Sequence, residues 1–207
     1  MKFQLLIAGM AMAAATSASA ATLTIVSDGS TLAAATDEAS PTLVSGDITG
    51  LTFGPATVGA LGTFTSVPPG APAGAEVINI SADGGASGFF LVDFTLPTGA
   101  TNVSINGAFN VDDDGFVFVN GNSLAEGDEF SNTTFTSSDQ TIFKPGENQF
   151  LVSDINSGGG PSGAAFFATV SYAAVPEPAS WAMMLVGFGG LGAAMRAGRK
   201  AKSAVHA

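Results

Sequence analysis

The chain has 207 residues, of which 46% are apolar and 11% charged, with no Cys and a net charge of -11. The lack of Cys excludes a disulfide framework, a thiolate nucleophile and a Cys-ligated metal. Of six basic residues only Lys144 lies between Ala21 and Val175, and of seventeen acids all but Glu177 lie there, so sixteen carboxylates face one ammonium and nucleic acid is excluded as a partner.

Residues 1–20 carry a short positive start at Lys2, an apolar run from Phe3 to Ala15, and the small-residue stretch Ala18-Ser19-Ala20. That is the pattern of a secretory signal peptide cleaved between Ala20 and Ala21. As a helix the apolar run reaches about 20 Å, short of a hydrocarbon core of about 30 Å, so a cleaved leader is expected rather than an anchor.

The mature segment, residues 21–174, reads as a chain of short strands. Candidates are TLTIV (22–26), DITGLTF (47–53) and LGTFTSV (61–67), followed by the Pro/Gly-rich loop 66–75 and then EVINIS (76–81). In GFFLVDFTLP (88–97), Phe90, Val92, Phe94 and Leu96 share one face by the period of two, and in TNVSINGAF (101–109) Val103 and Ile105 oppose Asn102, Ser104 and Asn106. GFVFV (115–119) is apolar on both faces, as a central strand is, and Asn120-Gly121 after it is a strong hairpin signal. TTFTS (133–137), QTIF (140–143), QFLVSDI (149–155) and AAFFATVSY (164–172) complete the set, and no segment reads as an amphipathic helix. About ten short strands at this spacing predict an all-β fold, an antiparallel sandwich or barrel.

The block VDDDGFVFVNGN followed by IFKPGENQFLVSDINSGGGPSGAAFFATV resembles the second half of galactose-binding-like jelly-roll domains: acidic turn, strand, Asn-Gly turn, K-P-G-x-N, strand, N-x-G-G-P-x-G, strand. The resemblance implies a jelly-roll-like β-sandwich and, for that class, frequent carbohydrate binding.

Few chemical groups remain for a site. The only His is His206, beyond the last Lys, so neither a Ser-His-Asp triad nor a His-ligated zinc site can form in the mature segment. Paired carboxylates are the one catalytic resource, and Asp112, Asp113, Asp114, Glu126, Asp128 and Glu129 supply them; a glycan-active enzyme is the third reading, behind two non-enzymatic ones. Asp112, Asp113 and Asp114 carry two readings, a solvated acidic turn closed by Gly115 or a set of oxygen ligands for Ca2+, and the spacing does not match an EF-hand loop. The customary sugar-binding aromatics are scarce: Tyr172 is the only Tyr and Trp181 the only Trp, while the Phe residues fall mostly at core positions. Asn, Asp and backbone groups around 106–123 or 156–163 are what could meet a sugar.

The chain closes on VPEPASWAMMLVGFGGLGAAMRAGRKAK, residues 175–202, with a tail at 203–207. Pro176 and Pro178 hold any helix to later residues, and the apolar run 179–197 gives roughly 28 Å of helix, enough for a single transmembrane helix. Trp181 stands where an interfacial anchor belongs, and Arg196 through Lys202 form a cytoplasmic basic flank. GFGGLG within the run matches a dinucleotide fingerprint in letters only, since no βαβ unit surrounds it. Pro176-Glu177-Pro178, Trp181, the apolar run and the basic end together resemble the PEP-CTERM sorting signal of Gram-negative bacteria in its PEP-x-x-W-A variant. That resemblance implies recognition by an exosortase-type processing enzyme, transient anchoring in the bacterial membrane and delivery to the cell surface or an exopolysaccharide matrix. The leading expectation is therefore an exported non-enzymatic surface or matrix protein, with a calcium-assisted carbohydrate-binding module as the alternative.

Overall fold

The computed structural model describes residues 19–37, 39–59, 66–82, 85–128, 131–158, 160–174, 184–193 and 196. Expectations that fall on 1–18, 61–65, Glu129, 175–183 and 197–207 lie outside the described residues, among them most of the leader and Pro176, Glu177, Pro178 and Trp181. The chain divides into a unit Ala20–Ala174 and a second made of the two ends.

In chain order the elements of the larger unit are β1 (Ser19–Val26), β2 (Leu32–Thr36), α1 (Thr42–Ser45), β3 (Gly54–Pro55), β4 (Thr57–Val58), β5 (Ile78–Asn79), β6 (Ser87–Leu96), β7 (Thr101–Val111), β8 (Gly115–Val119), β9 (Asn122–Gly127), β10 (Thr133–Ser137), a 3-10 turn (Gln140–Ile142), β11 (Gly146–Asp154) and β12 (Ala164–Ala174). They form two antiparallel sheets. Sheet I has the order β10-β7-β12-β5-β4, with β1 also pairing with β12; sheet II runs β3-β2-β6-β11-β8-β9. Strands adjacent in space are mostly distant in sequence, and the two sheets make the antiparallel all-β sandwich expected.

Period-two alternation explains the core between the sheets. Phe90, Phe94 and Leu96 of β6, Phe150 and Val152 of β11, and Val117 and Val119 of β8 face Ile105, Phe109 and Val111 of β7 and Phe166, Ala168 and Val170 of β12. The Phe150 and Phe166 rings, one from each sheet, lie 5.5 Å apart at 51°, a tilted contact that joins the two layers. Small residues set the close approaches within sheet I: a Cβ on Gly107 would strike the Phe167 carbonyl oxygen and the Phe135 ring.

Part of the outer side of sheet II is apolar as well. Phe89 and Leu91, Phe118 and Leu151 form a second cluster with Leu43 of α1, against which Ile48, Leu51 and Phe53 pack. Here the sequence reading needs correction: DITGLTF is not a strand but the continuation of a cover that begins with α1. Gly46 ends α1 in the left-handed region at φ 68, and Gly50 has φ 83, so the chain turns back over the sheet. The apolar letters of this segment answer the outer face of β6 and β8, not a strand neighbour.

Other corrections are smaller. QTIF forms a 3-10 turn because Asp139 accepts hydrogen bonds from the Thr141 amide at 2.9 Å and hydroxyl at 2.8 Å. EVINIS contributes only Ile78–Asn79 as strand. β2, Leu-Ala-Ala-Ala-Thr, has only the exposed Leu32 as a bulky residue to announce it, yet it pairs with β6 over Leu32–Thr36 and buries Ala33 and Ala34. The hairpin between β8 and β9 turns on Asn120 and Gly121 with φ 50 and 79, both positive as a type I′ turn requires.

Candidate functional site

The acidic turn links β7 to β8, and each of its three aspartates serves a different partner. The Asp112 amide donates to the Gly163 carbonyl at 3.1 Å, tying the turn to the loop before β12. Asp113, at φ 62, turns one carboxylate oxygen onto that loop and accepts from the Ser157 amide at 2.6 Å, the Ser157 hydroxyl at 3.0 Å and the Gly158 amide at 3.0 Å. Asp114 exchanges main-chain hydrogen bonds with Ile155. Gly115 follows because a Cβ there would strike the Ser153 carbonyl and the Val111 side chain. Among the described residues no three of His, Cys, Asp and Glu are gathered as a bound metal requires.

Beneath this turn lies Asp154, the last residue of β11. Phe150 and Val152 point inward, so the period of two carries Asp154 inward too, and it is 0% exposed. Its Oδ2 accepts from the Ser162 hydroxyl at 2.6 Å, and its Oδ1 has no hydrogen-bond partner. Burial pushes the carboxyl well above the usual carboxylate range; the Ser162 hydrogen bond opposes this, and the nearby charges of Asp112 and Asp113 add to it. A second polar link closes the same end of the sandwich: the Asn156 amide donates to Ser87 Oγ at 2.9 Å and its side chain to the Gly160 carbonyl at 2.8 Å. The sequence reading did not single out Asp154; the signal that marks it is the period of two in QFLVSDI, which puts it on the same face as Phe150 and Val152. Wholly buried, it ties the end of β11 to the loop at Ser162.

At the other end of the sandwich, Lys144, the single base between Ala21 and Val175, is fixed through its main chain. Asn148, 0% exposed, accepts from the Lys144 amide at 2.8 Å and donates to the Lys144 and Gly146 carbonyls at 2.8 and 2.9 Å. Asn120 of the hairpin donates to the same Asn148 Oδ1 at 2.8 Å. The K-P-G-x-N and Asn-Gly motifs thus form one amide network, a structural latch rather than a reacting group. The carboxylates named for catalysis do not join it: Glu126 and Asp128 are exposed, on β9 and just after it, and Glu129 lies outside the described residues.

Of the terminal segment, residues 184–193 are helical and expose Leu185, Val186, Phe188 and Leu191 by 60–72%. Ten helical residues reach about 15 Å, and among the described residues no helix is long and apolar enough to cross a membrane. The remainder of the span expected over 179–197 lies outside the described residues, apart from Arg196.

A β-sandwich followed at once by a sorting segment is the class of protein these features define. Residues 174–200 match the PEP-CTERM protein-sorting motif, which marks a bacterial chain for export and exosortase-type sorting to the cell surface. No curated protein matches the chain. Among solved structures it is similar to the β-glucuronidase of Ruminococcus gnavus in complex with D-glucuronic acid, at 15% identity and a TM-score of 0.45, over 72% of this chain and 29% of that one. The apo form of that enzyme gives 15%, 0.44, 73% and 29%, and its complex with uronic deoxynojirimycin 16%, 0.44, 73% and 29%. This chain therefore spans under a third of the length of those structures, and the likeness carries no argument about catalysis or ligand.

Proposed function

We propose that the protein is an exported, non-enzymatic β-sandwich displayed at the surface of a Gram-negative cell or in its exopolysaccharide matrix, after an exosortase-type enzyme has processed its tail. The observation that carries this reading is the position of the sorting motif: β12 ends at Ala174, and the motif begins at the same residue. The folded unit thus ends where the sorting signal starts. Pro176-Glu177-Pro178 with Trp181 serves as the recognition element of the PEP-x-x-W-A form, and the apolar run 179–197 holds the precursor in the membrane until it is cut. The jelly-roll-like strand order supports kinship with galactose-binding-like domains. The sequence supports a role without chemistry, since the mature segment lacks His and Cys altogether. This role asks for no cofactor.

Fractionation of cells expressing the wild type and Glu177→Ala tests the reading. The wild type is expected outside the inner membrane in processed form, and the variant as an unprocessed membrane-held precursor. Equal processing of the two overturns it.

A further inference from the structure

The acids of the domain are unevenly placed. None of β1, β7, β10 and β12, four strands of sheet I, contains a charged residue, whereas sheet II carries Asp93, Glu126, Glu147 and Asp154. Because Val103, Ile105, Phe135, Phe166 and Val170 point into the core, the alternate residues of the same strands form the outer face. Register then builds that face row by row. Thr136 of β10 stands beside Asn106 of β7, and Asn106 beside Thr169 of β12; in the next rows Thr134, Ala108 and Phe167 align, and Ser104 meets Ser171.

This face differs from its counterpart on sheet II, part of which is apolar and lies under the segment that includes α1, while the rest carries the charges of Asp93 and Glu147. Between Pro69 on one side and Thr134 and Thr136 on the other runs a cleft of about 400 Å3, floored by Asn106, Ala108 and the half-buried Phe167. Among the described residues the side chains of Asn106, Thr134 and Thr136 make no hydrogen bond within the protein, and all three are exposed.

We infer that this cleft and the uncharged face around it bind a neutral polysaccharide. Hydroxyl and amide groups about 4.8 Å apart across strands and about 6.7 Å apart along them offer a regular array of donors and acceptors to a ligand rich in hydroxyls. Phe167 supplies an apolar floor for the C–H face of a pyranose ring, and few well-placed polar groups around an apolar floor are the make-up of a ligand cleft. Charge selects the neutral polymer. A domain with sixteen acids and one base repels acidic polysaccharide at long range, and the face has no cation to recruit one. The inference rests on the surface or matrix role proposed above and gives it a partner.

The test uses the purified full-length chain in affinity gel electrophoresis through gels containing a soluble β-1,4-glucan, a β-1,3-glucan, a galactomannan or dextran, with alginate as the acidic control. At least one neutral polymer is expected to retard the protein, and alginate to leave it unaffected. Thr136→Glu, which puts a carboxylate in the cleft without touching the core, is expected to weaken retardation at least tenfold. Thr95→Glu, which adds the same charge to the outer side of sheet II, is expected to leave it unchanged, and Asn106→Ser to weaken it severalfold with no change of charge. Retardation by none of the neutral polymers, retardation by alginate alone, or equal effects of Thr136→Glu and Thr95→Glu overturns the inference. Since this experiment does not pass through sorting, a correctly sorted protein that ignores every neutral polymer removes the ligand and leaves the address intact.

Discussion

Asp154 is a carboxyl sealed under an acidic turn, with one oxygen satisfied by Ser162 and the other unpartnered. A carboxyl whose pKa rises on folding keeps its proton in the folded state at pH values where the unfolded chain has released it. Its contribution is therefore full below the ordinary carboxylate range and is lost as pH rises through the raised folded value. The only His, His206, lies in the tail, outside the folded unit, so the window above the ordinary carboxylate range reports this buried group. Thermal melts between about pH 5 and about pH 8 should show the wild type losing about 3 °C or more, while Asp154→Asn stays flat. A wild-type melt as flat as that of the variant would contradict the burial argument. At this scale the sequence was legible where a motif had a fixed backbone meaning: Asn120-Gly121 needed two positive φ values and has them. The acidic run showed its composition but not its division of labour, because the loop that Asp113 holds begins 44 residues later.

Long strands with bulky alternation, β6, β7, β11 and β12, were readable because each buries a full face and the period of two is enforced by the core, and β8 because it is apolar on both faces. The pieces that escaped are held by neighbours instead of by their own pattern. β2 is mostly Ala and exists because β6 offers it an edge; the segment after Pro41 is apolar because β6 and β8 need a lid. Leu43, 0% exposed, is the anchor of that lid. Leu43→Ala should cost about 3 kcal/mol in urea unfolding, the usual loss for a buried Leu, without changing the pairing of β6 with β11. A loss below about 1 kcal/mol would mean the lid is marginal to stability. Nothing in sequence separates a lid from a strand in DITGLTF, since both need apolar residues and only the tertiary partner differs.

Across the whole molecule, charge divides into three regions. Nearly all the bases lie at the two ends, the acids occupy sheet II and the loops, and the outer rows of sheet I carry neither sign. The sorting segment was the most legible part of the chain because a targeting signal is read in linear order, whereas the candidate glycan face is assembled from β7, β10 and β12 and shows only once their register is known. We propose, as the centre of this account, that both ends are delivery devices and the sandwich is what is delivered. Intact-mass measurement of the protein recovered from the cell surface tests it most directly. The expected mass is that of a chain starting at Ala21 and lacking the apolar segment beyond Pro176-Glu177-Pro178. A surface protein that retains Met1, or that still carries residues 184–207, would contradict the account.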